Sequence, residues 1–88
     1  MENETRVVIT GLGVVSPLGI GHPTFWRRLC AGESGVGLIT TLDASDMVSP
    51  IAGEVQDFDP ESFLEPKMAR RMDRFTQFAV TAAGEAIT

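Results

Sequence analysis

One cysteine and one histidine stand in these 88 residues, Cys30 and His22. Covalent catalysis would need them together, with the thiol activated by a base and held in an exposed, electropositive setting. Cys30 instead falls on the apolar side of a predicted helix, with no base near it in sequence. A free cysteine in such a place behaves as a small hydrophobe, so core packing is expected. His22 precedes Pro23 and reads as a helix-entry residue rather than a general base. One Cys and one His cannot close a structural zinc site. The acids Glu54, Asp57, Asp59 and Glu61 lack the D-x-D-x-D-G spacing of a metal loop, so solvation and helix capping account for them. The sequence therefore offers no catalytic residue, no metal site and no cofactor site.

The glycine loop after Ile9 invites a nucleotide reading. Counting G-x-G-x-x-G from Gly11 reaches Gly13 and then Ser16, where a small residue must let helix pack on strand. Pro17 comes next and biases Ser16 away from helical geometry. No Gly-Lys-Ser/Thr follows either, so a phosphate loop is excluded. A tight exit from a strand is the simpler reading of Gly11 and Gly13.

The remaining chemistry is electrostatic. Residues 67–74 carry Lys67, Arg70, Arg71 and Arg74 against one acid, Asp73, a local net of +3. The whole chain is −5, so the other residues carry −8. The basic positions recur at i, i+3, i+4 and i+7, one stripe of a helix. Like charges at i, i+4 disfavour a helix, which argues for a purpose beyond solvation. A compact basic patch on an acidic chain suits one acidic partner and argues against general nucleic-acid binding.

These residues need elements to position them. Val7, Val8 and Ile9 form an apolar run suited to a strand buried on both faces. Pro23 opens a helix with Phe25, Trp26, Leu29 and Cys30 on one face, and Arg27 and Arg28 turned away. Gly32 can cap it. Residues 33–37 read as a turn and 38–46 as irregular. Ile51 to Val55 reads as a short strand. Asp59-Pro60-Glu61 starts a short turn that Pro66 interrupts. From Pro66 a long helix is predicted, burying Met68, Met72, Phe75, Ala79, Ala82 and Ala86. Ala82-Ala83-Gly84 would let another element come close. No apolar run approaches the roughly 20 residues of a membrane span, and the MENETR start lacks a signal-peptide core. A cytoplasmic protein without a disulfide is expected. The helical pattern still runs at Thr88, as expected of the start of a longer chain.

Four segments, in order, carry a family resemblance: ITGLGVVSPLG at residues 9–19, FWRRLCAGESGV at 25–36, IAGEVQDFDP at 51–60 and RRMDRFTQFAVTAAGEA at 70–86. The chain resembles the β-ketoacyl-(acyl carrier protein) synthases, the type II elongating condensing enzymes of the thiolase-like superfamily. The resemblance implies a five-layer α/β/α/β/α fold, of which residues 1–88 are the incomplete N-terminal part. It implies a homodimer without organic cofactor that performs a decarboxylating Claisen condensation. The family's catalytic cysteine and histidines lie beyond residue 88, so these residues alone are expected to be inactive. The family's basic helix docks acyl carrier protein, and its three positions match Lys67, Arg70 and Arg71; Arg74 is an additional cation. A polyketide ketosynthase, or its chain-length partner without the nucleophile, is the alternative within the family. Outside it stand a non-catalytic module that binds an acidic carrier and, more remotely, a nucleotide-binding domain.

Overall fold

The computed structural model describes residues 4–88. In chain order the elements are β1 (Val15–Ser16), β2 (Gly19–Ile20), α1 (His22–Cys30), β3 (Val36–Leu38), β4 (Ile51–Gly53), a 3-10 turn (Pro60–Ser62), α2 (Pro66–Ala69) and α3 (Arg74–Ile87). The strands form two separate antiparallel pairs, β1 with β2 and β3 with β4. No helix among the described residues is long and apolar enough to cross a membrane.

The glycines before β1 set how the chain lies on α3. A Cβ on Gly11 would overlap the carbonyl of Ala86, and one on Gly13 the carbonyl of Ala82. Neither glycine has a positive φ. Close approach, not turning freedom, is what requires them, which corrects the strand-exit reading. The spacing explains the match. Four helical residues rise roughly 6 Å, and two residues of extended chain reach at most roughly 7 Å. Gly11 and Gly13 thus form a two-residue ruler laid along one turn of α3.

Upstream, Val7 to Ile9 forms no ladder and stays open to solvent, Val7 by 91% and Ile9 by 81%. A strand exists only where a neighbour takes its hydrogen bonds, and no described segment does so here. The expected strand therefore appears as an unpaired apolar segment.

The Ser-Pro pair makes a hairpin. Ser16 pairs with Gly19 and Val15 with Ile20. The Ser16 hydroxyl donates to the Gly19 carbonyl at 3.1 Å and accepts from the Leu18 amide at 3.2 Å. Gly19, at φ 135°, supplies the turn's left-handed residue. Pro17 lies against Gly35 and Gly53, where a Cβ would crowd its ring. That contact joins the hairpin to the β3–β4 pair. β3 falls where the sequence suggested turn and irregular chain, because Val-Gly-Leu is too short to show a period. Glu54, next after β4, ties down the chain leaving β3: it accepts from the amides and hydroxyls of Thr40 and Thr41 at 2.8–3.2 Å.

α1 begins as expected, with Pro23 in its first turn and Gly32 (φ 76°) just past its end. Its rotation differs from expectation. Thr24, Phe25 and Arg28 are half-buried, whereas Trp26, Leu29 and Cys30 are exposed. Arg28 turns inward because the hairpin offers it a carbonyl: its guanidinium donates to Leu18 at 2.8 Å and to Glu33 at 2.9 Å. A paired, directed guanidinium thereby displaces the cysteine from the inner face.

The predicted long helix is two helices. The chain leaves helical geometry after α2, and Asp73 takes an extended conformation as the N-cap of α3. A continuous helix would stack Lys67 on Arg71 and Arg70 on Arg74, two repulsive i, i+4 pairs that the break removes. α3 covers Ala82 and Ala86 as expected, but its inner face is rotated to Gln77, Phe78, Thr81 and Glu85, leaving Ala79 exposed and Phe75 72% exposed.

Among the described residues the buried apolar core is thin: Leu18, Ala44, Phe58 and Ala69. The radius of gyration is 16.9 Å, against about 12 Å for a compact domain of this length. The isolated 88 residues should therefore show little amide-exchange protection and should bind a hydrophobic dye; a sharp cooperative melt of a monomer would contradict this. In the intact protein, Gly13→Ala should lower stability by about 1–3 kcal/mol through overpacking against α3, measured by thermal unfolding. A neutral Gly13→Ala would mean that the strand–helix approach can relax.

Candidate functional site

The two candidate groups for a nucleophile–base pair lie at opposite ends of α1. His22 is the first residue of α1 and Cys30 the last, roughly 12 Å apart along the axis. No group of three His, Cys, Asp or Glu residues is placed to hold a metal among the described residues.

The acid that joins the segments most distant in sequence is Glu85, to which no sequence motif pointed. Its carboxylate accepts from the Val14 amide at 2.9 Å and from the His22 amide at 2.9 Å. The His22 imidazole stands 3.8 Å from the same carboxylate. Glu85 thus caps α1 from another helix, placing an anion where the first N–H groups of α1 lack partners. Burial by itself would raise the Glu85 carboxyl, but the His22 and Val14 amides and the imidazole outweigh it and hold the carboxyl below its ordinary value. The signal available in sequence was a lone acid among small residues, Thr81-Ala-Ala-Gly-Glu85-Ala. Its partners are 71 and 63 residues away, and no local pattern reports them.

Two concavities flank this anchor. One, of about 540 Å³, lies between the hairpin and α3 and includes Phe63, Leu64, Thr81 and Glu85. The other, of about 710 Å³, is an apolar groove formed by Leu12, Pro23, Phe25 and Trp26. Neither gathers reactive groups, because the oxygens of Glu85 are taken up by backbone donors.

The basic residues gather at the α2–α3 break. Lys67 sits within α2, Arg70 caps it and Arg71 lies in the turn beyond. All three are exposed, and among the described residues none has a carboxylate within 4.0 Å. Lys67 and Arg71 share a shallow hollow of about 230 Å³ with Glu65 and Met68. With the long helix broken, the three exposed cations are carried by a short helix and a turn. Arg74 does not share it. Its guanidinium lies 5.4 Å from the ring centre of Phe58 and 5.0 Å from that of Phe78. Phe58 in turn meets Phe78 edge-on at 5.0 Å and stacks on Phe63 at 5.8 Å. The fourth cation of the sequence pattern is therefore a structural cation–π contact. Lys67, Arg70 and Arg71 thus remain exposed and, among the described residues, without an ion pair.

Comparison with known proteins adds a family to this geometry. The profile described as β-ketoacyl synthase, N-terminal domain, matches residues 4–88. The chain is 50% identical over 82 residues to 3-oxoacyl-(acyl-carrier-protein) synthase 2 of Synechocystis sp., covering 93% of this chain and 20% of that one. It is 54% identical over 81 residues to the protein of the same name from Coxiella burnetii, covering 92% and 20%. The corresponding protein of Staphylococcus aureus is 44% identical over 87 residues, covering 99% and 21%. The chain thus spans about a fifth of the length of these curated relatives. Among solved structures, the ishigamide ketosynthase/chain length factor superposes with a TM-score of 0.78 at 34% identity, covering 92% of this chain and 21% of that one.

The Glu85 anchor predicts a pH dependence. A depressed carboxyl contributes fully above its unfolded pKa of about 4.3 and loses that contribution as pH falls through the lower folded value. At pH 7, Glu85→Gln should cost about 1–3 kcal/mol, since one backbone donor loses its acceptor and the other its charge. The gap to the parent should narrow below pH 4 in thermal melts. A gap of constant size from pH 7 to pH 3.5 would show that the charge plays no part.

Proposed function

Given that the chain belongs to the β-ketoacyl synthase family through that family's N-terminal domain, we propose that it is part of an elongating 3-oxoacyl-(acyl carrier protein) synthase of fatty acid biosynthesis. The reaction is a decarboxylating Claisen condensation. An acyl group passes from its carrier thioester to a cysteine thiol, releasing the carrier thiol. Malonyl-carrier protein loses carbon dioxide, and the resulting carbanion attacks the acyl thioester. The new carbon–carbon bond gives 3-oxoacyl-carrier protein, and the cysteine sulfur leaves as the thiolate. Neither Cys30 nor His22 takes part in these steps. The nucleophile and its histidines belong to the remainder of the synthase, which needs no cofactor, works as a cytoplasmic homodimer and has the five-layer α/β/α/β/α fold. Val7 to Ile9, exposed and unpaired here, would enter its central sheet.

The observation that carries this chain's own role is the unpaired ridge of Lys67, Arg70 and Arg71 on a chain of net charge −5. It docks the acidic acyl carrier protein. An exposed basic ridge steers an acidic partner and fixes its orientation more than it adds raw affinity. A non-catalytic binding module is a poorer reading, because the thin core and the open apolar segment suit a part of a larger fold. One observation favours a second reading, a polyketide ketosynthase or chain-length factor: the structural likeness to the ishigamide pair. Its 34% identity is below the 44–54% of the three synthases, so the fatty acid reading stands first. The residue at the nucleophile position of the complete protein separates the two.

The test reverses the ridge in the complete synthase. Arg70→Glu combined with Arg71→Glu should raise the Michaelis constant for carrier-bound substrate about tenfold or more, through lost attraction and added repulsion. Raised salt should weaken the parent in the same direction. Acyl transfer from a small thioester that needs no carrier should be spared. Equal loss with both substrates would make the ridge structural, and no change with either would make it a solvated face.

A further inference from the structure

The ridge stands on a slender support. α2 has four residues, too few to hold a helix by its own hydrogen bonds. Its end is fixed from α3. The side-chain amide of Gln77 donates to the Ala69 carbonyl at 2.9 Å across eight residues. The same carbonyl accepts from the Met72 amide at 3.2 Å. Ala69 is 4% exposed, and Gln77 is half-buried beneath it. The carbonyl of Ala69 belongs to the peptide unit that leads into Arg70, and Arg71 is the next residue. Fixing that peptide plane fixes the direction in which both cations leave the backbone. Arg74, resting on Phe58 and Phe78, holds the first turn of α3 from which Gln77 reaches back.

We propose that Gln77 is a positioning residue for carrier recognition, an inference that rests on the docking role given to the ridge. Gln77 does not meet the partner. It orients Arg70 and Arg71 through the Ala69 carbonyl, so that the acidic surface finds them in one register. Without it, the Ala69 carbonyl keeps only the longer bond from the Met72 amide, Arg70 and Arg71 are left to the short-range bonds of their own amides to Pro66 and Met68, and the two side chains sample more directions. Ordering them then falls to the binding step, which weakens association.

Gln77→Met keeps side-chain length and net charge but removes the donor. In the complete synthase it should raise the Michaelis constant for carrier-bound substrate about three- to tenfold, the effect of losing one hydrogen bond. Turnover at saturation, and kcat/KM for a small carrier-free thioester, should stay as in the parent. Gln77→Asn stays polar but is shorter by one methylene, about 1.5 Å; it cannot reach Ala69 and should behave like Met, which keeps the test open if Met disturbs folding. The decisive arm repeats Gln77→Met in an Arg70→Ala, Arg71→Ala background, where its effect should vanish because the two changes act through one contact. An undiminished effect there, or an equal loss with the small thioester, would overturn the inference. If the double-arginine variant alone leaves the Michaelis constant unchanged, the docking role itself fails; a Gln77 effect that persisted would then have another cause.

Discussion

The fold hangs on the carboxylate of Glu85. Three stretches distant in sequence meet there: the glycine segment at Val14, the start of α1 at His22, and α3. Each contributes something the others lack. Val14 and His22 bring backbone donors that would otherwise lie unpaired at a crowded junction. α3 brings the only acid in its sequence, on the face turned inward. The approach is possible only because Gly11 and Gly13 carry no side chain where they cross Ala86 and Ala82. The glycines bring the backbone down onto the helix, and the carboxylate then secures it. From that junction the hairpin, α1 and the β3–β4 pair are linked in turn, through Arg28 on Leu18 and Pro17 on Gly35 and Gly53.

This dependence explains which parts of the molecule were legible in sequence. Local signals read correctly: Pro23 and Gly32 bracket α1, Asp59 accepts from Glu61 and Ser62 to cap the 3-10 turn, and Ile51 opens β4. What failed was rotation and continuity. α1 and α3 both carry enough apolar residues to suggest more than one inner face, and distant partners chose between them. For α1 the partner was the Leu18 carbonyl, which drew Arg28 inward and left Cys30 outside. For α3 the glycine segment covers Ala82, as expected, but Phe78 turns inward and Phe75 stays in solvent. Periodicity alone could not show that the Met68–Ala86 pattern spans two helices. The step from Met72 to Phe75 suits an unbroken helix as well as it suits a new one capped by Asp73.

The basic cluster was legible as charge but not as architecture. Four cations at helical spacing suggested one ridge; the structure divides them by environment. Three are exposed and, among the described residues, without an ion pair, although Glu65 shares the hollow of Lys67 and Arg71. The fourth lies over the edge-on pair Phe58 and Phe78, where a guanidinium is favoured over an ammonium because it is planar and weakly hydrated. Arg74 sits at the N-terminal end of α3, where the helix dipole disfavours a cation. The stacking on Phe58 and Phe78 offsets that cost, and the aromatic cluster gains a lid.

A partner approaching the ridge meets an electrostatic conflict, since the rest of the chain carries −8 against the local +3. Distance decides which wins. At physiological ionic strength charges are screened over about 8 Å, whereas the radius of gyration is 16.9 Å. An acidic surface arriving at α2 therefore feels Lys67, Arg70 and Arg71 strongly and the acids on the far side weakly. The net charge of the remaining chain disfavours an acidic partner elsewhere. Local attraction within general repulsion narrows the productive encounters to one face. Such selection is useful only if the cations project in a fixed direction. In the proposed docking role, the support beneath α2, the Ala69 carbonyl held from α3, counts as much as the charges above it.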